Sequence, residues 1–170
     1  MNLFTFLESY KGPKLSLLFT GCGAHAAELL LVPGASKVLY DLQIPYSHEA
    51  VEVLTGPLAV PSVSKERVLA LHARYRPEDV LRVTVTAAIT SARYRQGENH
   101  AYIAIDSANT GSRVWHLTLR KVEEKYHKSS GQHSVAAMAR NIDDYMICEI
   151  ALTLVLGQEF DWLEGSLVEV

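Results

Sequence analysis

Apolar residues fall along this chain in two rhythms, and the switches between them mark its elements. Leu3, Phe4 and Leu7 share one side of a short amphipathic helix over Met1–Tyr10, which Lys11-Gly12-Pro13 stops. Leu15–Thr20 (LSLLFT) is a short, mostly apolar run ended by glycine, the pattern of a buried strand. Gly21-Cys22-Gly23 then turns the chain into an alanine- and leucine-rich helix over Ala24–Val32, which Pro33-Gly34 breaks. Val38–Pro45 reads as a second strand, with Pro45 at an edge or an end. Ser47 caps a helix over His48–Leu54 that Gly56-Pro57 terminates. Val60–Val63 is loop, and Ser64 caps a further helix over Lys65–Tyr75, closed by Pro77.

Val80–Ala88 (VLRVTVTAA) alternates its side chains and carries valine and threonine, a strong strand signal. Thr90–Asn99 is polar and basic, hence loop. His100–Asp106 and Arg113–Val122 are two more strands, and the hairpin-like turn Ser107–Gly111 between them implies antiparallel pairing. Glu123–Gly131 is charged and rich in serine and glycine, and is expected to be mobile. Val135, Met138, Ile142, Met146, Ile150 and Leu154 then recur at three- to four-residue spacing, which predicts a long amphipathic helix over Gln132–Leu156 with Gly157 after it. Phe160, Trp162 and Leu163 make Glu159–Val170 apolar enough to dock. Strands interspersed with helices predict an α/β fold, a three-layer α/β/α sandwich with a mixed five-stranded sheet. No repeat or linker interrupts the pattern, so residues 1–170 read as a single domain.

Composition narrows the function classes. A chain of 170 residues suits one domain with a full core, and 48% hydrophobic with 21% charged residues excludes disorder. A formal charge of −3 provides no positive field for nucleic acid or an anionic membrane surface. No run reaches the roughly 18 apolar residues a membrane helix needs. Two cysteines, Cys22 and Cys148, make no disulfide framework and fit reduced thiols in a cytoplasmic protein. Met1–Lys14 lacks the basic start and long apolar core of a secretory leader, so none is expected. The seven histidines show no HxH or HExxH spacing, and no second ligand pair complements Cys22 and His25, so no metal is expected.

Candidate chemistry concentrates between Phe19 and Ala50. Strand, glycine turn and helix aim backbone N–H groups at an anion, or simply make a tight turn. Cys22, at the helix start, is placed either as an activated thiolate or as a small buried turn residue. Ser36 follows a proline-glycine turn and is a nucleophile if a base lies within reach, otherwise a cap. Tyr46, ten residues on, either relays a proton or fills core. Thr86 lies nearer the carboxyl end of its strand than Thr84, where ligands of open α/β sheets bind, or else it simply follows β propensity. Arg93 and Arg95 in the following loop are the best placed cations for a phosphate or carboxylate, or else a solvated pair.

The segment VPGAS, an apolar strand and then YSHEA resembles the C-terminal domain of the competence-damage protein CinA, most sharply over Val32–Ala50. That family holds nicotinamide mononucleotide amidohydrolase activity, releasing ammonia and leaving nicotinic acid mononucleotide. The resemblance places the nucleophile on Ser36, the active-site tyrosine on Tyr46 and the strand-end threonine on Thr86. The family lysine falls on Val51, which leaves Tyr46 or His48 for its proton role. The family's ESCTGG falls on Leu18–Gly23 and its TGIAGP on Thr86–Ser91, while GDRxxVR is echoed only by Gly131-Gln132-His133. A divergent branch of CinA-like sequences, reading roughly TGGGS, VPYS and TATDRPKRG, is more similar at Gly21–Ala24, Ile44–Ser47 and Thr90–Gly97. By this resemblance the amides of Gly21, Cys22 and Gly23 stabilise an oxyanion or cradle phosphate, and Arg93 and Arg95 grip the phosphate. It implies a small-molecule nucleotide as partner, no cofactor, and a homodimer for which Phe160 and Trp162 would suit the interface. Two functions stand open: a serine-based amidohydrolase acting on nicotinamide mononucleotide or a related pyridine nucleotide, and a catalytically degenerate nucleotide-binding module of the same fold.

Overall fold

Lys14–Thr20 (β1), Leu39–Gln43 (β2), Val80–Ala88 (β3), Asn99–Ser107 (β4), Gly111–Leu119 (β5) and Ser166–Glu169 (β6) form one sheet in the order β2-β1-β3-β4-β5-β6. The structure is a computed structural model, and it describes residues 3–74, 77–107, 111–127, 134–157 and 166–170. β1 pairs in parallel with β2 and β3, and the remaining neighbours pair antiparallel, so the sheet is mixed as the sequence pattern predicts. The pattern predicts five strands; β6 is a four-residue edge strand, too short for its alternation to stand out.

Helices cover both faces. Leu15, Leu17, Phe19, Val83, Val85, Ile103 and Leu117 point to one face, where they pack with Phe6 of Leu3–Ser9 (α1) and with Ile147, Ile150 and Ala151 of Val135–Val155 (α5). The alternate positions Ala104 and Val114 meet Val68 of Lys65–His72 (α4) on the other face. That second face is more polar. His72 of α4 lies 3.1 Å from Thr84 Oγ1 and 3.0 Å from Asp106 Oδ1, which ties the helix to β3 and β4.

Helix starts follow the capping chemistry. The Oγ atoms of Ser47, Ser64 and Ser134 accept from Ala50 N, Arg67 N and Ala137 N, each at 3.1 Å, opening His48–Thr55 (α3), α4 and α5. Two other expectations are corrected. The helix after the glycine turn is α-helical only over Ala24–Ala27 (α2) and tightens to a 3-10 helix over Glu28–Leu31. On α5 the predicted stripe is buried only in its second half: Met138 is 58% and Ile142 56% exposed, and Val135 is also exposed, whereas Ile150 is buried and Leu154 packs against the core. Asp143, Asp144 and Cys148 are buried instead, because the first half of α5 crosses polar strand-end loops and only the second half meets the apolar sheet. Glu124–His127 forms a 3-10 turn within the segment expected to be mobile. Residues 128–131 of that segment, and Phe160, Trp162 and Leu163, lie outside the described residues. Among the described residues no helix is long and apolar enough to cross a membrane.

Candidate functional site

The three parallel strands bring their carboxyl ends to one edge of the sheet. The crossovers after β1 and β2 run over opposite faces, which opens a crevice at that edge where ligands of such sheets bind. A cleft of about 510 Å³ lies there, and Gly21, Ile44 and Ile89 contribute to it from just beyond β1, β2 and β3. Tyr46, Tyr145, Arg140 and Asp144 supply most of its polar chemistry. Glycine is required at the end of β1: at Gly21 (φ +78°) a Cβ would sit 2.1 Å from the Ala87 carbonyl oxygen. Gly23, at φ +120°, is packed against the Phe19 side chain. The turn therefore lies flat on β3 and on the core.

The Gly23 amide, with the first two amides of α2, is already engaged. Asp144 Oδ1 accepts from Gly23 N at 2.5 Å and from Ala24 N at 3.2 Å, and Oδ2 accepts from His25 N at 2.7 Å. The anion held by this turn is thus a carboxylate of the same chain, delivered by α5. One residue earlier, Asp143 Oδ2 accepts from Thr90 N at 2.8 Å and Thr90 Oγ1 at 2.7 Å, fastening the loop after β3. Burial raises the Asp143 carboxyl above the usual carboxylate range, partly offset by these donors. Arg140 completes the set, donating to Thr90 O at 2.9 Å and to the Tyr46 hydroxyl at 3.0 Å. Residues 140, 143 and 144 are spaced i, i+3, i+4 and so share one helix face. That spacing, in a helix otherwise read for its apolar stripe, was the available sequence signal for the loop clamp.

The candidates named from sequence are dispersed around this edge. Tyr46 borders the 510 Å³ cleft and also a second pocket of about 150 Å³, and is 71% exposed. His48 lines only the smaller pocket, with Ser47 and Val51, and pairs with Glu52 at 3.1 Å. Ser36 is exposed in a 3-10 turn over Ala35–Lys37 and lines neither space. Gly21 and Cys22 line the larger cleft. The Cys22 thiol is buried and pushed well up by desolvation, with Cys148 and Asp144 adding to the effect, the opposite of an activated thiolate. His25 sits between Glu149 (3.3 Å) and Glu28 (3.4 Å), with the Tyr145 ring tilted against it at 47°, centroids 4.4 Å apart. Thr86 is fully buried beside Thr20, its register partner on β1. Arg95 donates to Ile89 O and Asn99 Oδ1, which makes it a brace of the loop after β3, and Arg93 is exposed away from both spaces. The buried Thr84–His72–Asp106 series has the order of a hydroxyl, an imidazole and a carboxylate, yet it opens to neither space and serves to dock α4. Among the described residues no group of three or more histidine, cysteine, aspartate or glutamate side chains is placed to hold a metal.

Comparisons with solved structures place this architecture. The competence/damage inducible protein CihA from Agrobacterium tumefaciens superposes with a TM-score of 0.61 at 20% identity, over 92% of this chain and 91% of that one. The competence damage-inducible protein A (ComA) from Klebsiella pneumoniae gives a TM-score of 0.58 at 14% identity, over 93% of this chain and 97% of that one. No protein-family model and no curated protein matches the sequence.

Proposed function

We propose that this chain, whose fold is that of the competence/damage-inducible proteins, is a binding module that holds a pyridine nucleotide or related small molecule in the cleft at the carboxyl ends of β1–β3 without hydrolysing it. The observation that carries this reading is the Asp144 carboxylate on the amides of Gly23, Ala24 and His25. An oxyanion hole works through donors aimed at the developing charge, and these donors are spent on an internal anion. Valine at position 51, where the resemblance calls for lysine, and the absence of Ser36 from the lining of either space point the same way. Binding itself is supported by the cleft's make-up: apolar walls, the rings of Tyr46 and Tyr145 for a flat heterocycle, and Arg140 as a cation at the rim.

The competing reading is a serine amidohydrolase, and one observation favours it: the Tyr46 hydroxyl is fixed by Arg140, as a group that stabilises a transition state would be. The two readings separate cleanly. Under the binding reading nicotinamide mononucleotide raises the melting temperature saturably and releases no ammonia above a Ser36→Ala control. Ammonia release that depends on Ser36 would overturn it, and so would the absence of stabilisation by any pyridine nucleotide.

A further inference from the structure

Across Tyr46 from the larger cleft, the pocket of about 150 Å³ contains an unusual cation. Arg67 of α4 lines it and is 1% exposed. Its guanidinium donates to Thr55 Oγ1 at 3.3 Å, Leu58 O at 3.2 Å and Val60 O at 3.4 Å, all neutral acceptors. Its Nε has no hydrogen-bond partner, and among the described residues no carboxylate pairs with it. A buried guanidinium without a counter-charge is costly to keep unless something anionic compensates it. The carboxylates nearest in sequence on the flanking helix are otherwise placed, since Glu52 pairs with His48 and Glu49 is exposed.

The rest of the lining suits an oxyanion. Ser47 and Ser62 bring hydroxyls, and Thr20 borders the space with its own hydroxyl donated to Val85 O at 3.4 Å. Thr86, register partner of Thr20 and outside the lining, has a buried Oγ1 that also lacks a partner. Ser47 and His48 are the cap and first residue of α3, so that helix presents its positive end to the pocket. A space of about 150 Å³ equals the liquid volume of about five waters, enough for a tetrahedral anion and little more. We infer that this pocket is a phosphoryl-binding site in which Arg67 is the principal charge and the hydroxyls of Ser47 and Ser62 orient the oxygens. The site shares Gly21 and Tyr46 with the larger cleft, so a phosphorylated ligand can span both, but the inference requires no heterocycle next door.

Inorganic phosphate is therefore the first probe, titrated at constant ionic strength against a chloride control while the melting temperature is followed. The expected result is a saturable rise, about 5–10 °C at a hundredfold excess over Kd. Arg67→Gln abolishes that rise. Ser62→Asp, at an exposed position, supplies an internal carboxylate; it raises the melting temperature without phosphate and removes the phosphate response. A nucleoside monophosphate run in parallel distinguishes sources: tighter binding than phosphate assigns the group to a ligand spanning both spaces, and equal binding assigns it to the free anion. No phosphate response in the parent protein overturns the inference, as does a full response in Arg67→Gln. If Arg67→Gln fails to fold, a full response in Ser62→Asp overturns it.

Discussion

Replacing Asp144 with alanine removes one carboxylate and, with it, the partners of three backbone amides. The Gly23 amide belongs to a buried residue, His25 is half-buried, and Ala24 is exposed enough for water to replace its lost acceptor. Leaving a buried donor unsatisfied costs about 1–3 kcal/mol, so two such amides set the scale. Returning the carboxylate's own desolvation cost, which is real for a group 8% exposed, brings the net loss to about 2–4 kcal/mol. For a chain of this length that corresponds to a fall of roughly 5–15 °C in melting temperature. Asp144→Asn keeps Oδ1 for Gly23 and Ala24 but turns an amide group toward His25 N, so about 1–2 kcal/mol is expected. Urea denaturation monitored by circular dichroism measures both. Formate added to the alanine variant should recover part of the loss, because the vacated amides then meet an external anion; such rescue separates anion binding from packing. A stability for Asp144→Ala within about 0.5 kcal/mol of the parent would show that the turn does not depend on the carboxylate and would refute the reasoning.

Other expectations follow from the same contacts. Arg140→Ala frees both Thr90 O and the Tyr46 hydroxyl and should weaken nucleotide binding about tenfold by calorimetry, whereas Tyr46→Phe, at an exposed position, should leave stability within about 0.5 kcal/mol. Ile142→Glu should be tolerated within a similar margin while Ile147→Ala, in the core, should cost about 2–5 kcal/mol in urea melts; equal effects would contradict the orientation of α5. Burial, followed by the neighbouring His116 ring 3.0 Å away, lowers the His100 pKa. The folded state then binds fewer protons than the unfolded chain, so stability should rise with pH through the window just below 6.5 and level off above it, and His100→Gln should flatten that rise.

Much of the scaffold was legible because its causes are local. Alternation over Val80–Ala88, the serines at 47, 64 and 134, and the glycine pair at 21 and 23 act within a few residues, so the elements form close to where the pattern puts them. The segment Val32–Ala50 likewise identified the edge of the sheet where the cleft lies, through Ile44 and Tyr46. The composition of the site was less accessible. Ser36 and Tyr46 share a segment, yet only Tyr46 reaches the cleft, because the 3-10 turn at Ala35–Lys37 faces Ser36 outward. Periodicity on α5 pointed to Met138 and Ile142, while the loops beneath that half of the helix are polar and bury Asp143 and Asp144.

What the sequence determined by itself, then, is the alternation of strands and helices, their caps, and the glycine turn poised to hold an anion. Only the tertiary structure decided which anion that turn holds. The Asp144 carboxylate is 121 residues from Gly23 along the chain, and no local pattern relates the two. The same is true of Arg67, an ordinary surface-type residue in a capped helix until α3, the loop after it and the ends of β1 and β3 close around it. Both outcomes depend on how separate elements pack, and burial is a property of the packed assembly: it converts a carboxylate and a guanidinium that would be solvated on an isolated helix into the charges that define this edge of the sheet.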